Sequence, residues 1–454
     1  MMRRWLILLM ATVLLVTCMP VFAEDAALDV PNFLTRLMNG EDISDVYARF
    51  TPEMQAALSQ ADVMDVWAQL TAVGGAFEGF AGGTSVTQSD EYTVLVQPMN
   101  MKNMGLQCTV TLDSRGRIAG LGFTPCAKAT AAQEPTAGVM EEDVSVGEEP
   151  FPLPGTLTMP ERTEGPVPAV VLVHGSGPSD RDETVGATKL FRDLASYLSQ
   201  RGVAVLRYDK RTYVYGKEIS ASEDYVKITA EEETIQDAIT AGRLLAADER
   251  VDPRRVYVIG HSLGAMLTPR IVSESDGLFA GMALLCGTNA TLLDIMIRQN
   301  EDAVAALPEE QQTAYEAMLD EARRQAAALP GLTAEEAAQA TILGQPGYYF
   351  WEMAQAPTAA ELIERLALPT LIINGERDFQ VNVREGREGW EQDLDLGAPY
   401  ITHLWADVNH LLMRPQADES AAGTVAEYYI ECTLDEDVAH AIAAFILNNG
   451  GNEQ

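Results

Sequence analysis

One serine in the chain lies in a pattern that could make it a nucleophile. The stretch VYVIGHSLGAML places Ser262 between Gly260 and Gly264. A bare G-x-S-x-G pattern arises easily by chance, but here a strand-like apolar run precedes the serine and a helical pattern follows it. A serine hydroxyl is a poor nucleophile until a neighbouring base takes its proton. This interpretation therefore requires a histidine and an acid elsewhere in the chain.

The best candidate for the base is His410, in the stretch DVNHLL. It directly follows the last strand-like run, YITHLWAD, so we expect it at the same sheet edge as Ser262. A structural loop histidine is the alternative. The other histidines lie inside that run, in a C-terminal helix, or in motifs with other roles (His403, His440, His174 and His261).

The acid is predicted in the stretch TLIINGERDFQV, where Asp378 lies just past the end of the penultimate strand. Glu376 is the competing carboxylate and is less favoured. Together with Ser262 and His410, this acid would complete a triad in which the histidine takes the serine proton and the acid orients the imidazole. Such a triad carries out acyl transfer through a covalent acyl-enzyme.

An oxyanion hole is predicted from two backbone amides. The run AVVLVHGSG ends in a glycine-rich turn, so the backbone around Ser176 can approach the nucleophile turn without obstruction. Leu263 opens the helix after Ser262, where amide groups point outward and the helix dipole is positive. We expect the N–H groups of Ser176 and Leu263 to bind the oxyanion; an ordinary glycine-rich turn is the alternative at Ser176.

The elements that must position these residues alternate between strands and helices over residues 150–454. The strand-like runs are continuously apolar, which is typical of a parallel sheet covered on both faces. The pattern predicts a doubly wound, mostly parallel α/β fold. From about 290 to 365 the alternation gives way to helical patterns, so we expect a helical cap there. Its aromatic stretch YYFWEM would either pack the cap onto the core or line an apolar pocket.

The N-terminal third has a different pattern. Residues 24–125 show helical spacing followed by alternating strands, which predicts a small α+β domain with a structural or partner-binding role. Residues 126–149, rich in Ala, Thr and acidic side chains, read as a linker. Residues 1–23 combine Arg3 and Arg4, an apolar run from Trp5 to Thr17 and a small-x-small cleavage site ending at Ala23, which predicts a cleaved signal peptide and export; an uncleaved anchor is the alternative.

Composition narrows the classes of partner. The chain has 67 acidic and 31 basic residues and a formal charge of −36, which argues against nucleic acid and anionic membrane surfaces. No stable membrane insertion is expected once the signal is removed.

The sequence contains neither C-x-x-C nor H-E-x-x-H, so no metal or other cofactor is implied. Cys108 and Cys126 flank a predicted hairpin and could be bridged or unpaired. The oligomeric state stays open.

A cluster of charged residues follows two other strand ends. Asp180-Arg181-Asp182 and Asp209-Lys210-Arg211 are expected to face each other. They would form ion pairs that fasten the loop of the oxyanion donor or, alternatively, recognise an anionic group of the substrate.

The order Ser262, Asp378, His410 and the stretches HGSGPSDRDE, GVAVLRYDKRTYVYGK and GHSLGA resemble the α/β-hydrolase superfamily. More closely, they resemble a group of bacterial secreted serine carboxylesterases, many with a small N-terminal domain of the nuclear-transport-factor-like type. This resemblance implies hydrolysis of a small-molecule carboxylic ester. A serine peptidase, an acyltransferase or a thioesterase on the same fold is the alternative enzyme, and a non-catalytic exported binding protein is the alternative of another class.

Overall fold

The computed structural model describes residues 28–449, apart from residues 82, 89–91, 103, 127–136, 187, 223–224, 308, 415–422 and 431. The chain divides into two compact units, Met1–Ala131 and Ala132–Gln454. The predicted signal peptide, residues 1–23, lies outside the described residues, so export stays a prediction. No described helix has both the length and the apolar character needed to cross a membrane.

The first unit is the predicted α+β domain. Its helices are α1 (Val30–Met38), α2 (Ser44–Tyr47), α3 (Pro52–Ala57) and α4 (Gln60–Gly74), and its strands are β1 (Phe77–Phe80), β2 (Ser85–Gln88), β3 (Tyr92–Met101), β4 (Gly105–Asp113) and β5 (Ile118–Cys126). The strands form one antiparallel sheet in the order β1-β3-β4-β5, with β2 also paired to β3. Alternate residues of β4 are buried, as expected when one face of a sheet is covered by helices.

The four cysteines within the described part of the chain are free. In the β4–β5 hairpin, Cys108 is opposite Phe123, whereas Cys126 is opposite Gly105. The two cysteines are therefore three residues out of register, on opposite faces of the hairpin, so a disulfide cannot join them without moving the backbone. Cys108 is fully buried, and burial raises the pKa of its thiol to about 12.

The second unit is built on an eight-stranded sheet. Its strands are β6 (Val139–Val146), β7 (Leu153–Pro160), β8 (Val167–Val173), β11 (Ala204–Tyr208), β12 (Val251–His261), β13 (Gly281–Leu285), β16 (Thr370–Gly375) and β17 (Ile401–Ala406), and β9 (Thr184–Val185) and β10 (Thr188–Lys189) form a separate short hairpin. The spatial order is β17-β16-β13-β12-β8-β11-β7-β6. The first six of these strands are parallel to one another, and the β11–β7 and β7–β6 pairs are antiparallel.

Helices cover both faces of this sheet. They are α5 (Leu190–Ser199), α6 (Arg211–Ala221), α7 (Gln236–Ala246), α8 (Leu263–Glu274), α14 (Arg387–Asp393) and α15 (Glu436–Asn448), with a short π-helix at Glu231–Ile235. Helices α7 and α8 share one apolar core, and α5 and α15 share a second core on the other face. Every residue of β8 is buried, as predicted for a strand covered on both faces. The doubly wound α/β prediction is confirmed.

The linker prediction over 126–149 is wrong for part of its length. Residues Val139–Val146 form β6, which pairs with β7 along its whole length and lies at the edge of the large sheet. The acidic composition that suggested a linker belongs to this largely exposed edge strand, where Glu141 and Glu142 pair with arginines. Cys126 belongs to β5 of the first unit, and residues 127–136 lie outside the described residues.

A mostly helical insertion separates β13 from β16, as predicted for the cap. It contains α9 (Leu292–Ala305), α10 (Glu309–Ala328), a 3₁₀ turn (Leu329–Gly331), α11 (Ala334–Gln339), the short strands β14 (Thr341–Ile342) and β15 (Gln345–Pro346), α12 (Gly347–Gln355) and α13 (Ala359–Leu366). The insertion has its own apolar cluster, which includes Leu293, Leu329 and Phe350. Helix α13 instead packs on α8 within the core of the sheet.

Candidate active site

Ser262 occupies a sharp turn between β12 and α8, as the sequence predicted. Its φ of 53° and ψ of −118° are unusual for a residue with a side chain, so the turn holds the serine in a strained conformation. The flanking glycines are required by close packing. A Cβ on Gly260 would lie 2.2 Å from the Gly264 carbonyl oxygen, and one on Gly264 would lie 2.3 Å from the Val173 carbonyl oxygen. This geometry presents the hydroxyl at the start of α8.

The candidate base and acid meet after two neighbouring parallel strands. Asp378 follows β16 and His410 follows β17, and Nδ1 of His410 lies 2.7 Å from Oδ2 of Asp378. Both side chains are almost fully buried. The other oxygen of Asp378 accepts hydrogen bonds from the backbone N–H groups of Gln380 and Val381. The carboxylate is thereby fixed on Nδ1, which leaves Nε2 of His410 for proton transfer.

The competing acid and histidines lie elsewhere. Glu376 is at the surface, paired with Arg387 at 3.0 Å. His403 and His440 are exposed on β17 and α15. His174 is buried with Nε2 against the Asp180 carbonyl oxygen, and burial lowers its pKa to about 4. The structure therefore joins Asp378 to His410 and leaves these alternatives outside the pair.

The two predicted oxyanion donors lie on segments next to Ser262. Leu263 is the first residue of α8, and Ser176 follows Gly175 in the loop after β8. This loop passes close to Ser262, since a Cβ on Gly175 would lie 3.1 Å from Cβ of Ser262. Neither the Leu263 nor the Ser176 amide donates to an acceptor among the described residues. Both are therefore free to donate to a negatively charged oxygen.

A second buried histidine–carboxylate pair was missed by the sequence reasoning. Glu183 lies within the HGSGPSDRDE stretch, and its Oε1 accepts the Gly175 N–H at 2.8 Å and lies 3.1 Å from Nδ1 of His261. On the other side of the ring, Nε2 of His261 lies 2.8 Å from the His410 carbonyl oxygen. Both ring nitrogens thus face only acceptors, which favours the doubly protonated imidazolium.

The pKa values of this pair shift in opposite directions. Burial lowers the pKa of His261, but the Glu183 carboxylate and the His410 carbonyl outweigh it, and the pKa lies above its ordinary value. Burial raises the pKa of Glu183, but the positive charge of His261 and the Gly175 N–H outweigh it, and the pKa lies below its ordinary value. The only sequence feature near Glu183 that indicated ion pairs was the neighbouring Asp180-Arg181-Asp182 cluster, and this pattern pointed to other carboxylates.

The charged cluster forms ion pairs, in agreement with the first of the two interpretations. Arg181 makes a bidentate contact with Asp209, and Arg211 pairs with Asp237. Lys210 is buried, with Nζ 3.0 Å from Oε1 of Glu233. Because each of these cations already has a carboxylate partner, the arrangement does not favour recognition of an anionic substrate group.

A mostly apolar cavity of about 360 Å³, with Arg270 and Asp294 also in its lining, lies between α8, the loop after β13 and the inserted helices. Its lining includes Met266, Leu267, Leu292, Leu329, Phe350 and Met353. Ser262 and His410 are not among the lining residues, but Met266 lies one turn along α8 from Ser262. Within YYFWEM, Phe350 and Met353 face this cavity, whereas the Tyr349 hydroxyl donates to Glu233 and the Trp351 indole donates to the Leu332 carbonyl.

Potential metal ligands converge at one place among the described residues. The side-chain donor atoms of His261, Cys286 and His410 lie within 4.8 Å of one another, and all three residues are buried. Nitrogens of both histidines are already committed, to Asp378 and to the His410 carbonyl. The cluster therefore coincides with the proposed acid–base machinery and offers no separate set of free ligands.

Comparison with known proteins shows which family this chain resembles. Residues 170–423 match the model of the alpha/beta hydrolase family. The chain belongs to this family. Residues 32–121 match a family described as a protein of unknown function, DUF3887, which is compatible with a separate N-terminal domain.

One relative and two solved structures illustrate the similarity. Esterase EstD of Thermotoga maritima is 32% identical over 401 residues, which cover 87% of this chain and 89% of the relative. Est1E from Butyrivibrio proteoclasticus aligns with a TM-score of 0.41 at 14% identity, covering 68% of this chain and 99% of its own. A puromycin-hydrolysing peptidase of Mycobacterium tuberculosis aligns with a TM-score of 0.42 at 17% identity, and the alignment covers 83% of this chain but only 48% of the peptidase.

Proposed function

We propose that this alpha/beta hydrolase cleaves carboxylic esters through an acyl-enzyme, with Ser262 as nucleophile, His410 as general base and Asp378 as the orienting acid. The observation that carries the proposal is the buried Asp378–His410 contact of 2.7 Å, at the sheet edge where the strained turn presents Ser262. Similarity to an esterase over most of both chains supports the choice of an ester bond.

In the proposed acylation step, Oγ of Ser262 attacks the ester carbonyl carbon while Nε2 of His410 takes the hydroxyl proton. The carbonyl oxygen becomes an oxyanion that accepts hydrogen bonds from the amides of Ser176 and Leu263. The tetrahedral intermediate collapses as the bond to the alcohol oxygen breaks, and His410 delivers its proton to that oxygen. The alcohol leaves, and the acyl group stays on Ser262.

Deacylation repeats the same steps with water. His410 takes a proton from a water molecule as its oxygen attacks the acyl carbon, and the second oxyanion is held by the same two amides. Collapse breaks the bond to Oγ of Ser262, which recovers its proton from His410. The sum is one ester and one water converted to one acid and one alcohol, with no other reactant.

The proposed substrates are small, uncharged esters with an apolar portion. The apolar cavity beside α8 supports this class, since its volume lies within the range of small-molecule pockets. The formal charge of −36 disfavours strongly anionic substrates. Export with cleavage near Ala23 is proposed from the sequence pattern alone.

The decisive experiment is turnover of p-nitrophenyl esters from acetate to palmitate by the wild type and by Ser262→Ala, with alanine 4-nitroanilide as the peptidase substrate. We expect ester turnover that Ser262→Ala abolishes and no turnover of the anilide. Anilide cleavage that depends on Ser262 would favour a peptidase. Equal inertness of both proteins, without labelling of Ser262 by a fluorophosphonate, would favour the binding protein.

A further inference from the structure

A buried lysine contacts the peptide group that carries one of the proposed oxyanion donors. The Lys210 side chain is 2% exposed, and its Nζ donates to the Gly175 carbonyl oxygen at 2.8 Å. That carbonyl and the N–H of Ser176 belong to the same peptide group. The proposed ester hydrolysis assigns no step to Lys210, so this contact needs an explanation of its own.

The contact fixes the direction of the Ser176 amide. In a planar trans peptide the C=O and N–H bonds point in opposite directions, so holding the Gly175 carbonyl also orients the Ser176 N–H. Gly175 is held on its other side as well, because its own N–H donates to Glu183. Gly177, which follows Ser176, has a φ of 80°. Because glycine adopts many backbone conformations, the loop could turn in other directions without these contacts. These contacts select one orientation for this segment.

The charge on Lys210 also strengthens the donor. An ammonium group on a carbonyl oxygen draws electron density through the peptide bond, so the opposite N–H becomes more positive. The effect is large when water is excluded, and Lys210 is buried. The Ser176 amide has no acceptor in the described part of the chain, so the gain is available to an oxyanion.

The same lysine is linked to the inserted helices. Oε1 of Glu233 lies 3.0 Å from Lys210, and Oε2 of Glu233 accepts a hydrogen bond from the Tyr349 hydroxyl at 2.7 Å. Tyr349 lies on α12 of the insertion. Burial and the Glu233 carboxylate raise the pKa of Tyr349 well above its ordinary value, so the hydroxyl stays protonated and donates. Direct contacts therefore connect Tyr349 of the cap, through Glu233 and Lys210, to the loop of the proposed oxyanion donor.

We propose that Lys210 is a positioning residue that orients and polarises the Ser176 amide of the oxyanion hole, and that Tyr349 and Glu233 make its placement depend on the cap. This inference rests on the proposed ester hydrolysis. In this proposal the buried Lys210–Glu233 pair contributes to transition-state stabilisation, because the polarised amide binds the carbonyl oxygen most strongly when that oxygen carries a negative charge.

The test is Lys210→Met, which keeps most of the side-chain volume and removes the charge. We expect kcat for p-nitrophenyl butyrate to fall about 10- to 100-fold with KM nearly unchanged, less than the roughly 10²- to 10³-fold cost of removing an oxyanion donor outright. The inhibition constant of butylboronic acid, which forms a tetrahedral adduct with a nucleophilic serine, should rise by the same factor. The matched control is Lys189→Met, which removes a half-exposed lysine paired with Asp182 and should keep wild-type kinetics.

A second variant separates this role from simple damage to the core. Lys210→Met leaves Glu233 buried without its cation, so Lys210→Met with Glu233→Gln removes both charges and should fold even if the single variant does not. We expect the double variant to keep the kcat loss and the weakened boronate binding. Recovery of kcat in the double variant would overturn the proposal, since the loss would then come from the unpaired carboxylate.

The link to the cap is tested by Tyr349→Phe. We expect a smaller kcat loss, about two- to fivefold for one hydrogen bond, and no further loss when it is added to Lys210→Met. If Lys210→Met keeps the wild-type kcat, the proposed role of the lysine is wrong. If the kcat losses of Tyr349→Phe and Lys210→Met multiply when the two are combined, the proposed link to the cap is wrong. If Ser262→Ala keeps full activity, the proposed hydrolysis itself fails, so the two failures are distinguishable.

Discussion

The carboxylate of Glu183 lies 3.1 Å from Nδ1 of His261, the residue that directly precedes the proposed nucleophile. Both side chains are about 4% exposed. The pair contacts the two segments that the proposed chemistry needs, because Glu183 accepts the Gly175 N–H and His261 lies against the His410 carbonyl. A buried ion pair thus connects the loop of the proposed oxyanion donor Ser176 to the proposed general base His410.

The first prediction is that Glu183→Gln destabilises the protein by about 3 kcal/mol near pH 6, the cost of breaking a buried pair. His261 has a raised pKa, so its contribution is complete below its unfolded pKa of about 6.5 and is lost as pH rises through the folded value. Glu183 has a lowered pKa, so its contribution is complete above about 4.5 and is lost as pH falls through the folded value. The destabilisation should therefore be largest between these two values.

The measurement is urea unfolding of wild type and variant from pH 4 to 9, with exposed Glu161→Gln as the control. The other titratable groups that act on the pair include Asp378 and His174, whose pKa burial lowers to about 4. A difference in unfolding free energy that does not change across this range would contradict the assignment of a charged pair.

The second prediction distinguishes the two candidate acids. Asp378→Asn should lower kcat by roughly 10³- to 10⁴-fold, because the amide cannot hold the imidazole in the required tautomer or stabilise its positive charge. Glu376→Gln removes only a partly exposed ion pair with Arg387 and should leave kcat within about twofold. Steady-state turnover of one ester by both variants is the measurement, and equal effects would remove Asp378 from the triad.

The third prediction concerns packing at the nucleophile turn. Gly264→Ala places a methyl group 2.3 Å from the Val173 carbonyl oxygen, which is backbone and cannot move aside cheaply. We expect a loss of about 3 kcal/mol and a lower Tm, by about 2–4 °C for each kcal/mol. Gly165→Ala is the matched control, because nothing lies within 4 Å of a Cβ at Gly165. Thermal unfolding by circular dichroism compares them, and equal Tm values would refute the close approach.

The fourth prediction tests whether the apolar cavity accepts part of the substrate. Ala326 on α10 lines the cavity, and Ala326→Phe should fill much of it. We expect kcat/KM for the longest accepted p-nitrophenyl ester to fall about tenfold relative to the acetate. Ala327→Phe adds the same side chain at the neighbouring exposed position and should leave the chain-length profile unchanged. An unchanged profile in Ala326→Phe would show that the ester binds elsewhere.

The Asp378–His410 pair follows from the sequence because both residues come just after apolar strand-like runs. The carboxyl ends of adjacent parallel strands lie at one edge, so residues that are distant in the chain are brought together there. Composition gave a misleading signal at Glu141 and Glu142, since an edge strand can stay largely exposed and its acids then resemble those of a linker.

The Glu183–His261 and Lys210–Glu233 pairs could not be predicted in the same way. Glu183 lies in an irregular loop with a φ of 49°, and no periodic pattern indicates where such a side chain points. Glu233 belongs to a short π-helix, which shifts its side chain from the position expected in an α-helix. Long-range contacts made from irregular backbone depend on the packed tertiary structure, which local spacing does not contain.

The acidic residues of edge strand β6 affect whether copies of this protein associate. A free sheet edge exposes backbone groups that a second copy could use to extend the sheet, which is a common route to aggregation. This edge carries Glu141, Glu142 and Asp143 in succession, so two such strands brought side by side would repel each other. We therefore expect the edge to discourage growth of one continuous sheet through many molecules and to favour colloidal stability in concentrated solution.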